Sequence, residues 1–404
     1  DATPVARWLA RGTDPNTKDP GGNTLLMLAC SSDSLPLDSV KSLIARGADV
    51  NARNAEGRSA MDFARLRGAT PVVDLLARAG AKEATPFKLE SARPKPAGSS
   101  REAIARVLPL LQKSDSNFLQ KSGCVSCHNN TFTAMTIAAV RKTGLSVDEK
   151  LAGNQVKKIA AYIDSWRERA LQGVGIPGDS DTVGYILLGL AAGNHQSDEA
   201  TDAMARFVKG QQYPDGGWRI FAHRPPIESS DIEVTAVSMR SLQLYGPKAH
   251  RAEYQAAAKR AAGWLAKARP QTTEDRVFHL LGLRWAGLNS RHAIIGRGVR
   301  GLLATQRPDG GWAQLPSLAS DAYATGQALV ALREAGGLRA TDPAFKRGIA
   351  FLLSTQLEDG SWYVRSRAIP FQPFFESGFP HGHDQWISMA ASNWATMALA
   401  LDAM

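Results

Sequence analysis

A seven-residue pattern, Gln-x-x-x-Gly-x-Trp, recurs three times and limits what this 404-residue chain can fold into more than any other feature. It reads Gln212-Tyr-Pro-Asp-Gly216-Gly-Trp218, Gln306-Arg-Pro-Asp-Gly310-Gly-Trp312 and Gln356-Leu-Glu-Asp-Gly360-Ser-Trp362. The copies start 94 and 50 residues apart. The longer interval hides an unmarked unit, in which Ala261 to Leu265 ends one helix and Thr272 starts another, so one repeat spans about 47 to 50 residues. Each unit holds two helices. The first has apolar residues at helical spacing and ends at the Gln, as in Arg347 to Leu353. The second, as in Ala324 to Ala335, is small and apolar on nearly every side and is therefore buried. Extending the pattern starts second helices near Asn129, Asp181, Ser230, Thr272, Ser320 and Gln385, which makes six hairpins. Six hairpins close into a ring of six inner and six outer helices, because an open row would leave an apolar flank in water at each end. The class expected is all-α, with an (α/α)6 toroid over residues 101–404.

Residues 1–82 follow a different period. Trp8-Leu-Ala-Arg-Gly12, Leu43-Ile-Ala-Arg-Gly47 and Leu75-Leu-Ala-Arg-Ala-Gly80 end three helical stretches, 35 and 33 residues apart. Gly22 to Ala29 and Gly57 to Ala64 resemble the ankyrin Gly-x-Thr-Pro-Leu-His-x-Ala opening, although neither has its Pro or His, and Asp49-Val-Asn51 resembles the ankyrin turn. Cys30 follows an apolar helix and reads as a core thiol. The resemblance implies a concave protein-docking surface without chemistry of its own. Residues 83–100, with Pro86, Pro94, Pro96, Gly98, Ser99 and Ser100, read as a linker or a strap across the next domain.

The longer repeat resembles the alpha-toroid of squalene-hopene cyclases and protein prenyltransferases over about three quarters of the chain. Those cyclases protonate an alkene with the central Asp of Asp-x-Asp-Asp-Thr-Ala. The matching stretch here is Asp231-Ile-Glu233-Val234-Thr235-Ala236, so the resemblance implies Glu233 at the proton donor's position, with Val234 in place of the second Asp. Read from the residues alone, Ser230 and Asp231 cap an inner helix, and Glu233 sits in its first turn, where the helix dipole favours it. Prenyltransferases hold zinc with Asp, Cys and His late in the toroid. No cysteine follows Cys127, which excludes that activity.

The segment Cys124-Val125-Ser126-Cys127-His128 has the C-x-x-C-H form by which c-type haem is attached: both thiols add to vinyl groups and the imidazole binds the iron. A redox dithiol or a metal site is the alternative, but zinc would need a second ligand pair and a thioredoxin-like dithiol a βαβ setting. The motif falls between the two helices of the first hairpin, where later units carry the Gly-Trp loop, so one covalent haem c would face the mouth of the toroid. His195, His250 and His292 belong to the opposite connections, and Met135 is on the order of 10 Å along the same helix from His128. Met239 and His279 read as packing residues. His381 or His383 is then the first choice for a distal ligand, because closure makes hairpin six the neighbour of hairpin one, and His223 is the second. Arg224, Arg365 and Arg367 share these loops and suit haem propionates, or solvent. Tyr185, Asp321, Tyr323 and Glu376 fall near the mouth with no assigned role.

The formal charge is +10, yet Lys and Arg read as scattered among 38 acids, so no nucleic-acid partner is expected. No run is long and apolar enough to span a membrane, and no signal-peptide pattern opens the chain. The function expected is a monohaem c-type cytochrome transferring electrons, docked to a redox partner by its ankyrin repeats. The alternatives are a haem peroxidase or oxidase acting on a lipid or terpenoid in the toroid cavity, and a haem-free cyclase using Glu233. Thioether attachment implies export, so a periplasmic protein with its leader removed is expected.

Overall fold

A computed structural model describes residues 11–33, 36–82, 93–221, 223–369 and 374–404. The chain forms two compact units: Asp1–Glu90 with Leu315–Ala319 and Ser366–Phe371, and Ser91–Gln314 with Ser320–Arg365 and Gln372–Met404. Both are helical, and among the described residues extended pairing is limited to isolated bridges.

The first unit is a stack of ankyrin repeats with helices α1 (Leu25–Cys30), α2 (Leu37–Ala45), α3 (Ala60–Arg65) and α4 (Pro71–Arg78). Thr24 and Ser59 cap α1 and α3 through capping boxes closed by Met27 and Asp62. The repeat is written in its side-chain bonds. Asn16 reaches the Gly47 carbonyl and the Asp49 amide, and Asn51 does the same to Gly80 and Lys82. Cys30 is buried as expected, and burial pushes its thiol up to about 12. Arg67 is fully buried against Asp33, and Arg367 also donates to Asp33. Arg367, expected at the toroid mouth, belongs instead to this unit. Trp8 and residues 83–92 of the expected linker lie outside the described residues.

The second unit is the (α/α)6 ring. Outer helices α5 (Ser100–Ser122), α7 (Glu149–Ser165), α10 (Glu199–Gly210), α12 (Arg251–Leu265), α14 (Ala293–Leu303) and α16 (Pro343–Thr355) each precede an inner one. The inner helices are α6 (Phe132–Arg141), α9 (Asp179–Ala192), α11 (Asp231–Tyr245), α13 (Thr273–Trp285), α15 (Ala322–Glu334) and α17 (Gln385–Ala403), and a short α8 (Arg167–Leu171) follows α7. Each inner helix packs on the next, and α17 returns to α6. Small residues allow this close approach: a Cβ on Gly326 of α15 would lie 2.5 Å from the Trp394 carbonyl carbon of α17.

The repeated motif is the clasp between hairpins. The Gln amide nitrogen donates to the motif's own Gly carbonyl and to a carbonyl of the next outer helix: Ala257 for Gln212, Ala344 for Gln306 and Ala103 for Gln356. The Trp fills the core and its indole N–H donates to Val208, Leu302 or Leu352, ten residues back in its own outer helix. Its backbone N–H donates to Thr235, Thr325 or Ser392 of the inner helix. The unmarked fourth hairpin has no such Trp, and there His279 reaches the Leu265 carbonyl with its ring nitrogen, 2.9 Å away. The third copy closes the circle, because Gln356 grips α5. The segment after the linker reinforces that joint as a strap: Lys95 and Ala97 donate to the Gln356 and Leu353 carbonyls, and Glu358 to Arg93.

Gln356→Ala leaves the Ala103 and Gly360 carbonyls without their buried donor and should cost about 1–3 kcal/mol. Gly360→Ala adds strain, since φ is +87° and a Cβ would meet the Arg106 carbonyl oxygen at 2.8 Å. Urea titration of the whole chain should show both variants destabilised, and wild-type midpoints would rule out the clasp.

Candidate functional site

Three consecutive inner helices, α9, α11 and α13, present a carboxyl group in their first turn: Asp181, Glu233 and Glu274. Their side chains are buried in the ring, at 2%, 0% and 4% exposure, and Glu228, in the loop ahead of α11, joins them at 2%. Ser230 is the cap that positions Glu233, accepting from the Ile232 and Glu233 amides. Asp231, expected as a second cap, turns outward to the Ile220 amide and to Arg219.

Glu233 is the best anchored of the four. One carboxyl oxygen accepts from Tyr185 Oη at 2.5 Å and from the Glu228 amide at 3.1 Å, and the other accepts from the Ser229 amide at 3.1 Å. Burial raises its carboxyl to about 7 even though these three donors favour the anion. Glu274 accepts from Tyr323 Oη at 3.1 Å, and its other oxygen has no hydrogen-bond partner. Asp181 has no partner on either oxygen. Burial, and then the neighbouring carboxylates of Glu233 and Glu228, push Asp181 far above the usual range, and burial and Glu233 do the same to Glu274. Glu228 is ion-paired with Arg224, accepts from Thr182 at 3.4 Å and meets Cys127 Sγ at 3.5 Å. Aromatic rings wall the cluster on the side of Tyr185. Phe132 stands edge-on to Tyr185 at 5.4 Å, and Phe278 edge-on to Tyr185 and Trp394, each at 6.3 Å.

The Cys-Val-Ser-Cys-His segment leads into this wall. The inner helix expected near Asn129 begins instead with one π turn, Cys127–Thr131, before α6. Ser126 caps that turn, and Asn129 and Asn130 bond to Ser114 and Asp115 of α5. Cys127 is buried against Glu228, and burial raises its thiol well above its ordinary value. Cys124 is half-buried. His128 packs its ring edge-on between Phe118 at 5.3 Å and Trp386 at 5.7 Å, with Nδ1 3.8 Å from Cys127 Sγ. Burial, with Arg224 adding to it, lowers its imidazole to about 3, so it stays neutral.

The remaining expected residues are placed as follows. His381 bonds to Ser361 at 2.7 Å beside Tyr363 and Phe379, and His383 stacks on Phe374 at 4.2 Å. His223 lies exposed on the loop before Arg224. Arg224 is paired with a protein carboxylate, Glu228, which competes with the propionate role expected for it. Met239 and His279 are buried packing residues, as read. Tyr185 and Tyr323 gain roles as carboxyl partners. Asp321 caps α15 through the Ala324 amide, and the Glu376 carbonyl accepts from Lys121. Asp181, Glu228 and Glu274 were not foreseen as a group. Their first-turn positions in successive hairpins are the signal that would have found two of them.

The ankyrin-repeat family matches residues 1–85 in three copies. None of the curated proteins matches the chain. Among solved structures, the chain is similar to type II terpene cyclase MstE from Scytonema. A variant bound to merosterolic acid A, its product, is 15% identical with TM-score 0.48, covering 74% of this chain and 98% of that one. A variant bound to geranylgeranyl dihydroxybenzoate, its substrate, is 17% identical with TM-score 0.45, covering 75% and 99%. The unliganded enzyme is 14% identical with TM-score 0.46, covering 73% and 98%.

Glu233 and Asp115, both raised to about 7, hold protons more tightly folded than unfolded. Their contribution to stability is complete below the unfolded carboxyl range and is lost as pH rises through about 7. His128 has the opposite sign: its contribution is complete above about 6.5 and is lost as pH falls toward 3. Between pH 6.5 and 8 the carboxyl effect therefore governs, and the melting temperature should fall across that window. Glu233→Gln removes one of these titrations and should make the slope shallower. A slope equal to wild type would show that Glu233 does not titrate there.

Proposed function

We propose that the ring interior is a proton-transfer site acting on an apolar, alkene-bearing substrate of isoprenoid type, with Glu233 as the donor. The observation that carries this reading is Glu233 itself, fully buried, held by Tyr185 and two backbone amides, and raised to about 7 beside aromatic rings. A carboxylic acid in that range is half protonated at neutral pH and is a stronger acid than an unassisted buried carboxyl, because its three donors stabilise the anion it leaves. In the proposed step the Glu233 O–H bond breaks and a C–H bond forms at one alkene carbon, leaving a carbocation. A second alkene closes on that cation, and return of a proton to the Glu233 carboxylate restores a neutral product and the protonated acid. The net change is isomerisation, with no oxidant or reductant. The faces of Phe132, Phe278 and Trp394 suit the cationic intermediate. Arg224, by neutralising Glu228, keeps the carboxyl cluster from accumulating charge. The ankyrin unit supplies protein docking, and its partner is part of the proposal only as a protein.

Incubation with a polyprene, followed by product analysis, tests this. Wild type should form a cyclised isomer, with activity falling as pH rises through about 7, and Glu233→Gln should lose at least about a hundredfold in rate. Equal product from the variant would remove Glu233 as donor.

A second reading keeps covalent haem, and the neutral His128 beside Cys127 is what favours it, since neutral imidazole is the form that binds iron. In chemical type this donor set fits haem c: Cys124 and Cys127 would take the thioether bonds and His128 the proximal position. His381 or His383, then His223, would be the distal candidates, with a redox partner on the ankyrin unit in the periplasm. Bound haem would supply one-electron chemistry at the ring wall. Expression in a host that matures cytochromes should then give a band that stains for haem after denaturing electrophoresis and is weakened or lost in Cys127→Ala. Unstained wild type with free thiols would end this reading.

A further inference from the structure

The net charge of the chain is not spread around the ring. Residues 248–307, which include the helices of the fourth hairpin and the outer helix of the fifth, contain twelve Lys and Arg against three acids. The rest of the chain carries one formal positive charge of the total of +10. Burial sharpens the imbalance. Two of the three acids, Glu274 and Asp275, are buried, whereas ten of the twelve cations are exposed. The remaining acid, Glu253, is held by Lys209 at 2.8 Å. The scatter read from the sequence is thus, on the surface, concentrated on this one stretch of the ring, a basic face to which α12 and α14 contribute five of the ten exposed cations. Arg251, Lys259, Arg297 and Arg300 on that face have no carboxylate partner among the described residues.

A groove of about 550 Å³ opens on the same face between the end of α11 and α12. Exposed Lys248, Arg251 and Lys259 line it together with the apolar Leu242, Ala258 and Ala262. Tyr254, 4% exposed, also lines it. Cations beside an apolar strip match a phosphate joined to an apolar chain. None of the exposed large apolar or aromatic side chains among the described residues falls between 248 and 307. The face therefore lacks the aromatic anchors that protein hot spots and single-stranded nucleic acids use.

We infer that the exterior of the fourth and fifth hairpins docks on an anionic phospholipid surface, with the groove beside Lys248, Arg251 and Lys259 receiving one lipid phosphate. The inference stands apart from the chemistry of the ring interior. Attraction of this kind adds with each cation within a Debye length of the surface and weakens with salt.

Flotation of the full chain with phosphatidylglycerol vesicles, against phosphatidylcholine vesicles, tests it. Binding should occur to the first only, fall as salt rises, and drop roughly tenfold or more in Lys248→Glu/Arg251→Glu/Lys259→Glu. The matched reversal Lys113→Glu/Lys150→Glu/Lys157→Glu, on exposed positions of α5 and α7, should bind much more like wild type. Dihexanoyl phosphatidylglycerol below its micelle concentration should compete at the groove, whereas glycerol phosphate should not. No flotation at low salt, equal loss in both triple variants, or preferential capture by duplex DNA in the presence of vesicles would overturn the inference. All the substituted residues are exposed, so matching melting curves would establish that each variant is folded.

Discussion

Everything in the toroid depends on one clasp: a buried Gln amide that joins two carbonyl oxygens belonging to neighbouring hairpins. The Trp of the same motif fixes the outer helix to its inner partner through the indole N–H and the backbone N–H. The three hairpins that carry the motif are thereby held both internally and to their neighbours. The copy at Gln356 turns a row of hairpins into a ring, because its second acceptor is Ala103 at the start of the first outer helix. Without closure, α6 and α17 would each expose a face built for burial.

Closure also creates the chemistry. The first turns of α9, α11 and α13 meet only because successive inner helices stand in register around a common centre. Each helix start supplies favourable dipole for one carboxylate, but the shared dry interior makes several adjacent anions costly. The result is a set of groups divided by environment. Glu228 is compensated by Arg224, Glu233 is moderated by three donors, and burial pushes Asp181, which has no partner, and Glu274, bonded by Tyr323 on one oxygen, far above the usual range. In such a set Glu233 can give up its proton and, as the carboxylate, take one back.

The ring itself was legible in the sequence because its determinants are local: a motif of seven residues, and inner helices apolar on all sides. The roles of Ser230 as a cap and of Met239 and His279 in packing were legible for the same reason. The carboxyl cluster was not, since Asp181, Glu233 and Glu274 are separated by 52 and 41 residues and only the ring register unites them. Glu228 gave no pattern at all, being a loop residue that itself adopts φ +51°. The basic face was hidden for a related reason. A count along the chain includes Glu274 and Asp275, and only the fold shows that they are buried. Arg224 and Arg367 were read as open to an anionic ligand because their carboxylate partners, Glu228 and Asp33, could not be paired with them by spacing.

The protonation state of Glu233 is the quantity on which the account turns, and difference infrared spectroscopy reads it without any substrate. Titration of the wild-type chain in light and heavy water should show the carbonyl stretch of a buried, protonated carboxyl that disappears with a midpoint near pH 7. That component should lose intensity in Glu233→Gln, leaving the part due to Asp115, which is also raised to about 7. A band already gone by pH 5, or one unchanged by the substitution, would mean that Glu233 is an ordinary ionised side chain and that the ring interior has no proton to donate from it.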